Sequence, residues 1–287
     1  MNDEKNNSIT EMIKSIKTPD DLKDSLSMLR ASYRDKYSDY FQSEEYLAEK
    51  QYFSELNDKF VALYHKYCDS YKDLIKEIER KAYKTEYCKG GELIHRGYYS
   101  PSMSDLFFGN VKRGRLLKKV PADCKFTYEY IFDEDNKLIR VNKYDHSDDY
   151  LDHLTTEVFV YENDSVLAFT FREGRVLSHS LIAIAECQYE DDRLIRYEIA
   201  HLSPNCSDSV NRIEVESFEY SGDFVVSVEW YSFYTDIELL NHKFFSLSRD
   251  ENNYIVSITE DDINRRKRLG ISKEENIAVY PVLKKRN

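Results

Sequence analysis

The densest grouping of side chains able to do chemistry is the run Asp145-His146-Ser147-Asp148-Asp149-Tyr150-Leu151-Asp152-His153. Its carboxylates and two imidazoles could ligate a divalent cation, or share a proton as acid and base, which makes a metal-dependent hydrolase one reading of the chain. Acidic loops more often hold no metal, so the preferred reading is a solvated connection, with no metal and no cofactor expected. The other histidines, His65, His95, His179, His201 and His242, fall at unrelated places, and the sequence alone assembles them into no triad. The chain has no GxxxxGK phosphate loop, no GxSxG elbow, no HExxH and no GxGxxG after a strand. Cys68, Cys88, Cys124, Cys187 and Cys206 are odd in number and lack metal-ligand spacing, which favours reduced structural thiols. No catalytic residue is assigned, and a non-enzymatic protein is expected.

Charge is the more informative signal. Residues 1–120 carry 22 Lys and Arg against 20 Asp and Glu, a net of +2; residues 121–260 carry 11 against 29, a net of −18; residues 261–287 carry 8 against 4, a net of +4. A surplus concentrated in one region is readily explained if a basic surface docks there, because complementary fields speed association and fix orientation. The alternative is that the acids only keep an exposed sheet soluble and its edges unpaired. Two basic clusters, Lys112 to Lys119 and Arg265 to Arg268, could touch phosphate or nucleic acid, but solvated faces are the commoner use of such runs. The 287 residues contain no apolar run long enough to span a bilayer and no apolar core behind the charged N-terminus, so a cytoplasmic protein with no membrane partner is expected.

The elements that must position these groups are legible from periodicity. From Lys125 to Glu260 a hairpin pattern recurs about five times. The residues closing the first strand of each unit are Phe132, Tyr161, Tyr189, Tyr220 and Ser248, and polar turns rich in Asp, Asn and Gly follow each of them. Such residues tolerate left-handed backbone and bond their own main chain. Period-two alternation, as at Phe126, Tyr128 and Tyr130, marks strands. With 24 Tyr in the chain, a sheet with one covered and one exposed face is expected.

The fold expected is α+β: an N-terminal antiparallel helical hairpin, then a long antiparallel β-meander of about five hairpins, curved or partly rolled. Its regions are a helical hairpin over 1–86, an irregular connector with short strands over 87–124, the hairpin repeats over 125–260, and a C-terminal helix and edge strand over 261–287. Thr18-Pro19-Asp20-Asp21 opens one helix, and Ser8 with Glu11 makes a possible earlier cap. Ser43-Glu44-Glu45 opens another, whose seam runs Phe53, Leu56, Phe60, Leu63, Tyr67, Tyr71, Leu74 and Ile78 and is expected to pack on the first helix and on the sheet. Near the end, Thr259 to Asp262 reads as a helix start, Gly270 as its stop, and Pro281 as a sign of an edge strand.

The segments Tyr128-Glu129-Tyr130-Ile131-Phe132-Asp133-Glu134-Asp135-Asn136-Lys137-Leu138-Ile139 and Tyr189-Glu190-Asp191-Asp192-Arg193-Leu194-Ile195 resemble the tyrosine-aspartate hairpin repeats of Rhs-type shell proteins. They are similar too to hairpins in bacterial proteins encoded near polymorphic toxins, some of which are immunity proteins. The likeness covers about half the chain. Asn136 or Asp192 stands where the repeat usually has glycine, and five units are too few to enclose a toxin.

These observations together lead to the expectation of a protein-binding module, an immunity- or antitoxin-like protein that covers a basic partner such as a toxin with its acidic sheet. The carboxylates of Glu190, Asp191, Asp192, Glu214, Glu216 and Glu219 would supply the electrostatic part, and Trp230 an anchoring contact. The alternative is a nucleic-acid mimic that inhibits a nucleic-acid-binding enzyme; nucleic acid itself is not favoured as a partner.

Overall fold

The structure is a computed structural model that describes residues 18–90, 114–119, 127–147, 150–162, 165–173, 179–203, 210–251 and 255–281. Helices come first: α1 (Pro19–Lys36), α2 (Ser38–Phe41), α3 (Glu44–Tyr67) and α4 (Tyr71–Lys81). Thirteen strands then make one sheet: β1 (Lys84–Lys89), β2 (Arg115–Leu117), β3 (Tyr128–Phe132), β4 (Leu138–Ser147), β5 (Tyr150–Tyr161), β6 (Ser165–Glu173), β7 (His179–Glu190), β8 (Arg193–Leu202), β9 (Val210–Ser221), β10 (Phe224–Tyr234), β11 (Leu239–Arg249), β12 (Ile255–Asp262) and β13 (Ile277–Pro281). Between the last two lie α5 (Ile263–Leu269) and α6 (Lys273–Asn276).

The sheet order is β13-β12-β11-β10-β9-β8-β7-β6-β5-β4-β3-β1-β2, and every neighbouring pair is antiparallel. From β3 to β13 the strands follow one another as a meander, and among the described residues the sheet does not close into a barrel. Five hairpins, β3–β4, β5–β6, β7–β8, β9–β10 and β11–β12, turn at the expected places. The turns are held by local chemistry. Asn136, Asp191, Asp192 and Gly222 all have positive φ, at 60°, 49°, 60° and 59°. The adjacent pair Asp191-Asp192 therefore forms the two-residue turn whose twist suits the flanking strands.

Both faces of the sheet carry a buried apolar cluster. On one face, Ile131, Ile139, Val158, Leu167, Phe169, Phe171, Ile184, Ile213, Val215 and Phe233 receive Phe53, Leu56 and Phe60 of α3 and Ile78 of α4. On the other, Tyr128, Tyr130, Phe132, Phe159, Ala168, Cys187, Tyr197, Phe218, Val228 and Phe245 pack together. The expectation of one covered and one exposed face is thus corrected. Val166, Leu167, Ala168 and Phe169 on β6 are all buried, a near-continuous apolar run of the kind a two-sided sheet demands.

The expected helical hairpin is corrected as well. The apolar stripe predicted from Phe53 to Ile78 packs on the sheet, one of its two expected neighbours, and not on α1, the other; Leu63, Tyr67, Tyr71 and Leu74 join the same cluster. It is also two helices, broken at Cys68–Ser70, where Ser70 Oγ donates to the Tyr67 carbonyl at 2.6 Å. Helix α1 keeps its predicted start, with Thr18 and Asp21 forming a reciprocal cap and Pro19 at the first position. It leaves Met28 70% and Leu29 40% exposed. Its C-terminal end is tied down by Arg34 to Glu238 at 2.9 Å and by ring contacts of Tyr33 with Tyr37 and Phe41.

At the C-terminus, Glu260 and Asp261 belong to β12 and Asp262 caps α5, two to three residues later than the sequence suggests; Gly270 ends the helix at φ 63°. Two of the basic residues of α5 face the N-terminal helices, Lys267 meeting Glu45 at 2.6 Å and Arg268 lying over the rings of Tyr33 and Tyr37, while Arg266 pairs with Asp261 of β12 at 3.3 Å. Strand β13 is an edge strand, as Pro281 implies. The repeat region therefore has partners outside 125–260, because β1, β2 and β13 extend the same sheet.

Candidate functional site

In a meander the turns alternate between two ends, so all five hairpin turns share one end of the sheet. That end carries Asp133, Glu134 and Asp135 in the first turn, Glu162 in the second, Glu190, Asp191 and Asp192 in the third, Asp223 in the fourth, and Asp250 and Glu251 in the fifth. Neighbouring turns are two strands apart, roughly 9–10 Å at ordinary strand spacing. Glu134, Asp135, Glu162, Glu190, Asp191, Asp192, Asp223 and Glu251 are exposed. The basic residues beside them are Lys137, Arg193 and Arg249; Arg193 reaches Asp223 at 3.4 Å. The rim is strongly acidic.

The rim is stiffened by a contact that recurs between hairpins. The hydroxyl of Tyr161, closing β5, donates to the carbonyl of Leu138 at the start of β4, and Lys137 lies over its ring. Tyr220, closing β9, does the same to Leu194 at the start of β8, with Arg193 over its ring. Tyr161 and Tyr220 thus each grip the second strand of the hairpin before their own. Burial pushes the Tyr161 phenol up to about 12, which keeps the donating proton in place at neutral pH.

The sequence-predicted binding residues divide between two environments. Glu190, Asp191, Asp192 and Glu219 are exposed, and Glu219 accepts a hydrogen bond from Ser227 Oγ. Glu214 and Glu216 are 4% and 0% exposed on the face away from α3, so neither is on an open surface. Glu214 pairs with Arg212 at 2.5 Å and His201 at 3.2 Å, and accepts Trp230 Nε1 at 3.2 Å. Burial works to raise its carboxyl pKa, but the His201 bond and the Arg212 charge outweigh it and leave it below the ordinary glutamate value. Trp230 is half-buried and committed to that bond. For the Asp145–His153 run, the backbone places Asp145–Ser147 at the end of β4 and Tyr150–His153 at the start of β5, as a hairpin tip at the end opposite the rim. Its side chains lie outside the described residues. Among the described residues no group of three or more His, Cys, Asp and Glu could hold a metal. The cap proposed at Ser8 and Glu11, Cys124 and Cys206, and Lys112 and Arg113 likewise lie outside the described residues.

A second polar site has no counterpart among the sequence expectations. Beside α3, a cleft of about 490 Å³ is lined by Glu49, Tyr52, Arg196, Glu198, Ser217, Glu229 and Tyr231 among others. Arg196, Ser217 and Glu229 are in cross-strand register on β8, β9 and β10. Glu198, only 4% exposed at its side chain, takes Lys59 of α3 at 2.8 Å and Arg196 of its own strand at 2.7 Å, and Lys59 also reaches Glu186 at 2.5 Å. The carboxylate is thus shared between the helix and the strand. Arg196 also donates to the Tyr52 hydroxyl, which burial and the Glu198 charge push up to about 12. Burial works to raise the Glu198 pKa as well, but the bonds from Lys59 and Arg196 outweigh it and hold it below the ordinary value. Next to this group, buried His242 stands between two carboxylates, with Nε2 2.8 Å from Glu229 and Nδ1 3.2 Å from Glu49, and stacks on Tyr231 with ring centroids 3.9 Å apart. Burial alone would lower the imidazole pKa; the two carboxylates reverse that and raise it, so the imidazolium is favoured. The sequence signal for this site is the i,i+2 spacing of Arg196 with Glu198 and of Glu229 with Tyr231, which puts each pair on one face of its strand.

No protein-family model matches this chain, and no curated protein matches it. Among solved structures, a protein of unknown function from Bacteroides fragilis aligns with 38% of this chain and 82% of its own length at 8% identity, with a TM-score of 0.31. A likeness that loose defines no shared fold. No helix among the described residues is long and apolar enough to cross a membrane.

Proposed function

We propose that this is a non-enzymatic binding protein, immunity- or antitoxin-like in its action, that docks a basic protein partner on the acidic rim of hairpin turns. One observation carries the reading: the repeat places exposed carboxylates on every one of its five turns, all at one end of the sheet. Neighbouring turns stand about one Debye length apart at physiological salt, roughly 8–10 Å, so their fields add most strongly when salt is low. A summed field of this kind raises association rates by roughly 10- to 1000-fold. The docking surface is accordingly the row of turns rather than the sheet faces, both of which carry buried clusters. A phosphate mimic is the weaker alternative, since duplex DNA presents a charge about every 1.7 Å of its axis, far denser than turns spaced two strands apart.

The test is affinity purification of the tagged protein at low and high salt, beside a variant with Glu134→Lys, Asp135→Lys, Asp191→Lys and Asp192→Lys. A stoichiometric basic partner that is retained at low salt, released at high salt and lost from the variant supports the reading. Retention of every partner by the charge-reversed variant overturns it.

A further inference from the structure

The cleft beside α3 holds one carboxylate oxygen with nothing to do. Glu229 Oε1 accepts from Tyr231 at 3.0 Å and lies 2.8 Å from His242 Nε2, while Oε2 has no hydrogen bond or ion pair among the described residues. The Glu229 side chain is 41% exposed, against 17% for Glu49 and 4% for Glu198, so it is the acid that meets solvent in the cleft. The lining contains Glu49, Glu198 and Glu229 against a single guanidinium, that of Arg196, and Arg196 is already engaged by Glu198, Tyr52 and Ser217. Behind the lining, Lys59 is shared between Glu186 and Glu198, His242 stands between Glu49 and Glu229, and Lys267 lies 4.0 Å from Glu49. The acid that keeps a solvent-facing oxygen in the cleft is therefore Glu229, whose carboxylate is oriented in advance by Tyr231 and His242.

We propose that this cleft binds a single cationic group, a guanidinium or primary ammonium, on Glu229 Oε2. A charge-assisted hydrogen bond to a pre-oriented carboxylate is the strong kind, and Ser217, the cross-strand neighbour of Glu229, accepts from Arg196 at 3.4 Å and has a second lone pair to offer. The source is either the side chain of an arginine or lysine or a free small amine. The site is on the face that α3 packs against, distinct from the turns, and the inference does not depend on the rim as a docking surface.

The experiment is a heteronuclear NMR titration of the whole protein with N-acetyl-arginine amide, N-acetyl-lysine amide and putrescine, with N-acetyl-glutamine amide as the neutral control. Saturable shifts confined to the amides around Tyr52, Ser217 and Glu229, given by the cations and not by the neutral amide, are expected. Response to the amino-acid amides identifies a side-chain ligand, and response to putrescine alone a free amine. Glu229→Gln keeps Oε1 as an acceptor for His242 and Tyr231, and should weaken binding at least tenfold. Asp191→Asn with Asp192→Asn should leave it unchanged. Absence of saturable shifts, shifts spread over the acidic turns, or undiminished binding by the Glu229→Gln protein overturns the proposal.

Discussion

The acidic residues of the turn rim and those inside the sheet are the same chemical groups put to opposite uses. Asp191 and Asp192 stand in solvent at the tip of a hairpin, whereas Glu198 and Glu214 are buried and ringed by cations and hydrogen-bond donors. The first pair contributes to the field around the molecule and little to its stability. The second contributes to stability and is hidden from any partner. A net charge of −18 over residues 121–260 therefore overstates the charge available for docking, because part of it is cancelled within the sheet.

The largest expected difference between these populations is in folding. Glu214→Ala leaves Arg212, His201 and Trp230 without their common acceptor, and should cost about 3–5 kcal/mol, read as a lowered denaturant midpoint. A loss under about 1 kcal/mol would put the buried and exposed acids in one class and end the comparison.

Titration sharpens it. Glu198 and Glu214 have folded pKa values depressed below the ordinary 4.5, so their stabilisation is present above that value and is lost as pH falls through the lower folded ones. His242, raised above its ordinary 6.5, behaves the other way. Its contribution is complete below 6.5 and fades as pH rises through the folded value. Stability measured against pH should fall at both ends, and Glu214→Gln should flatten the acid limb while leaving the alkaline limb as it is. An unchanged acid limb would contradict the assignment.

A smaller effect is expected from the tie between hairpins. Tyr161→Phe removes the bond to the Leu138 carbonyl and should lower stability by about 1 kcal/mol, checked by equilibrium unfolding. The smallest belongs to the rim itself: Asp191→Asn should change stability by less than about 0.5 kcal/mol. A drop well beyond that would mean that the turn acids are structural after all.

How much of this is legible in the sequence depends on the range of the interaction concerned. Turn chemistry is local, so Asn136, the Asp191-Asp192 pair and Gly222 announce their hairpins within a few residues, and Thr18, Ser43 and Gly270 mark helix ends in the same way. The stripe from Phe53 to Ile78 is equally plain as a stripe. Its target is only half legible, because a helix face shows that it must be covered without showing by what: of the two expected neighbours the sheet covers the stripe and α1 does not. The buried carboxylates are illegible for the same reason. Glu198 receives Lys59 from 139 residues away, and His242 meets Glu49 from the opposite end of the chain, encounters fixed only when α3 settles on the sheet. Glu214 and Glu216 read as exposed on a sheet with one open face, and are interior because the face away from α3 carries a buried cluster of its own.

The grip of Tyr161 on Leu138 and of Tyr220 on Leu194 also bears on how such a molecule could grow. Each contact joins a hairpin only to the one before it, so along the rim the hairpins behave as links with nearest-neighbour coupling. Gain or loss of a whole hairpin would preserve the pattern of contacts at the turns, whereas gain or loss of one strand would reverse the direction of every strand beyond it. Duplication in units of about 28 to 31 residues, the spacing between closing residues, is the step size that this architecture permits.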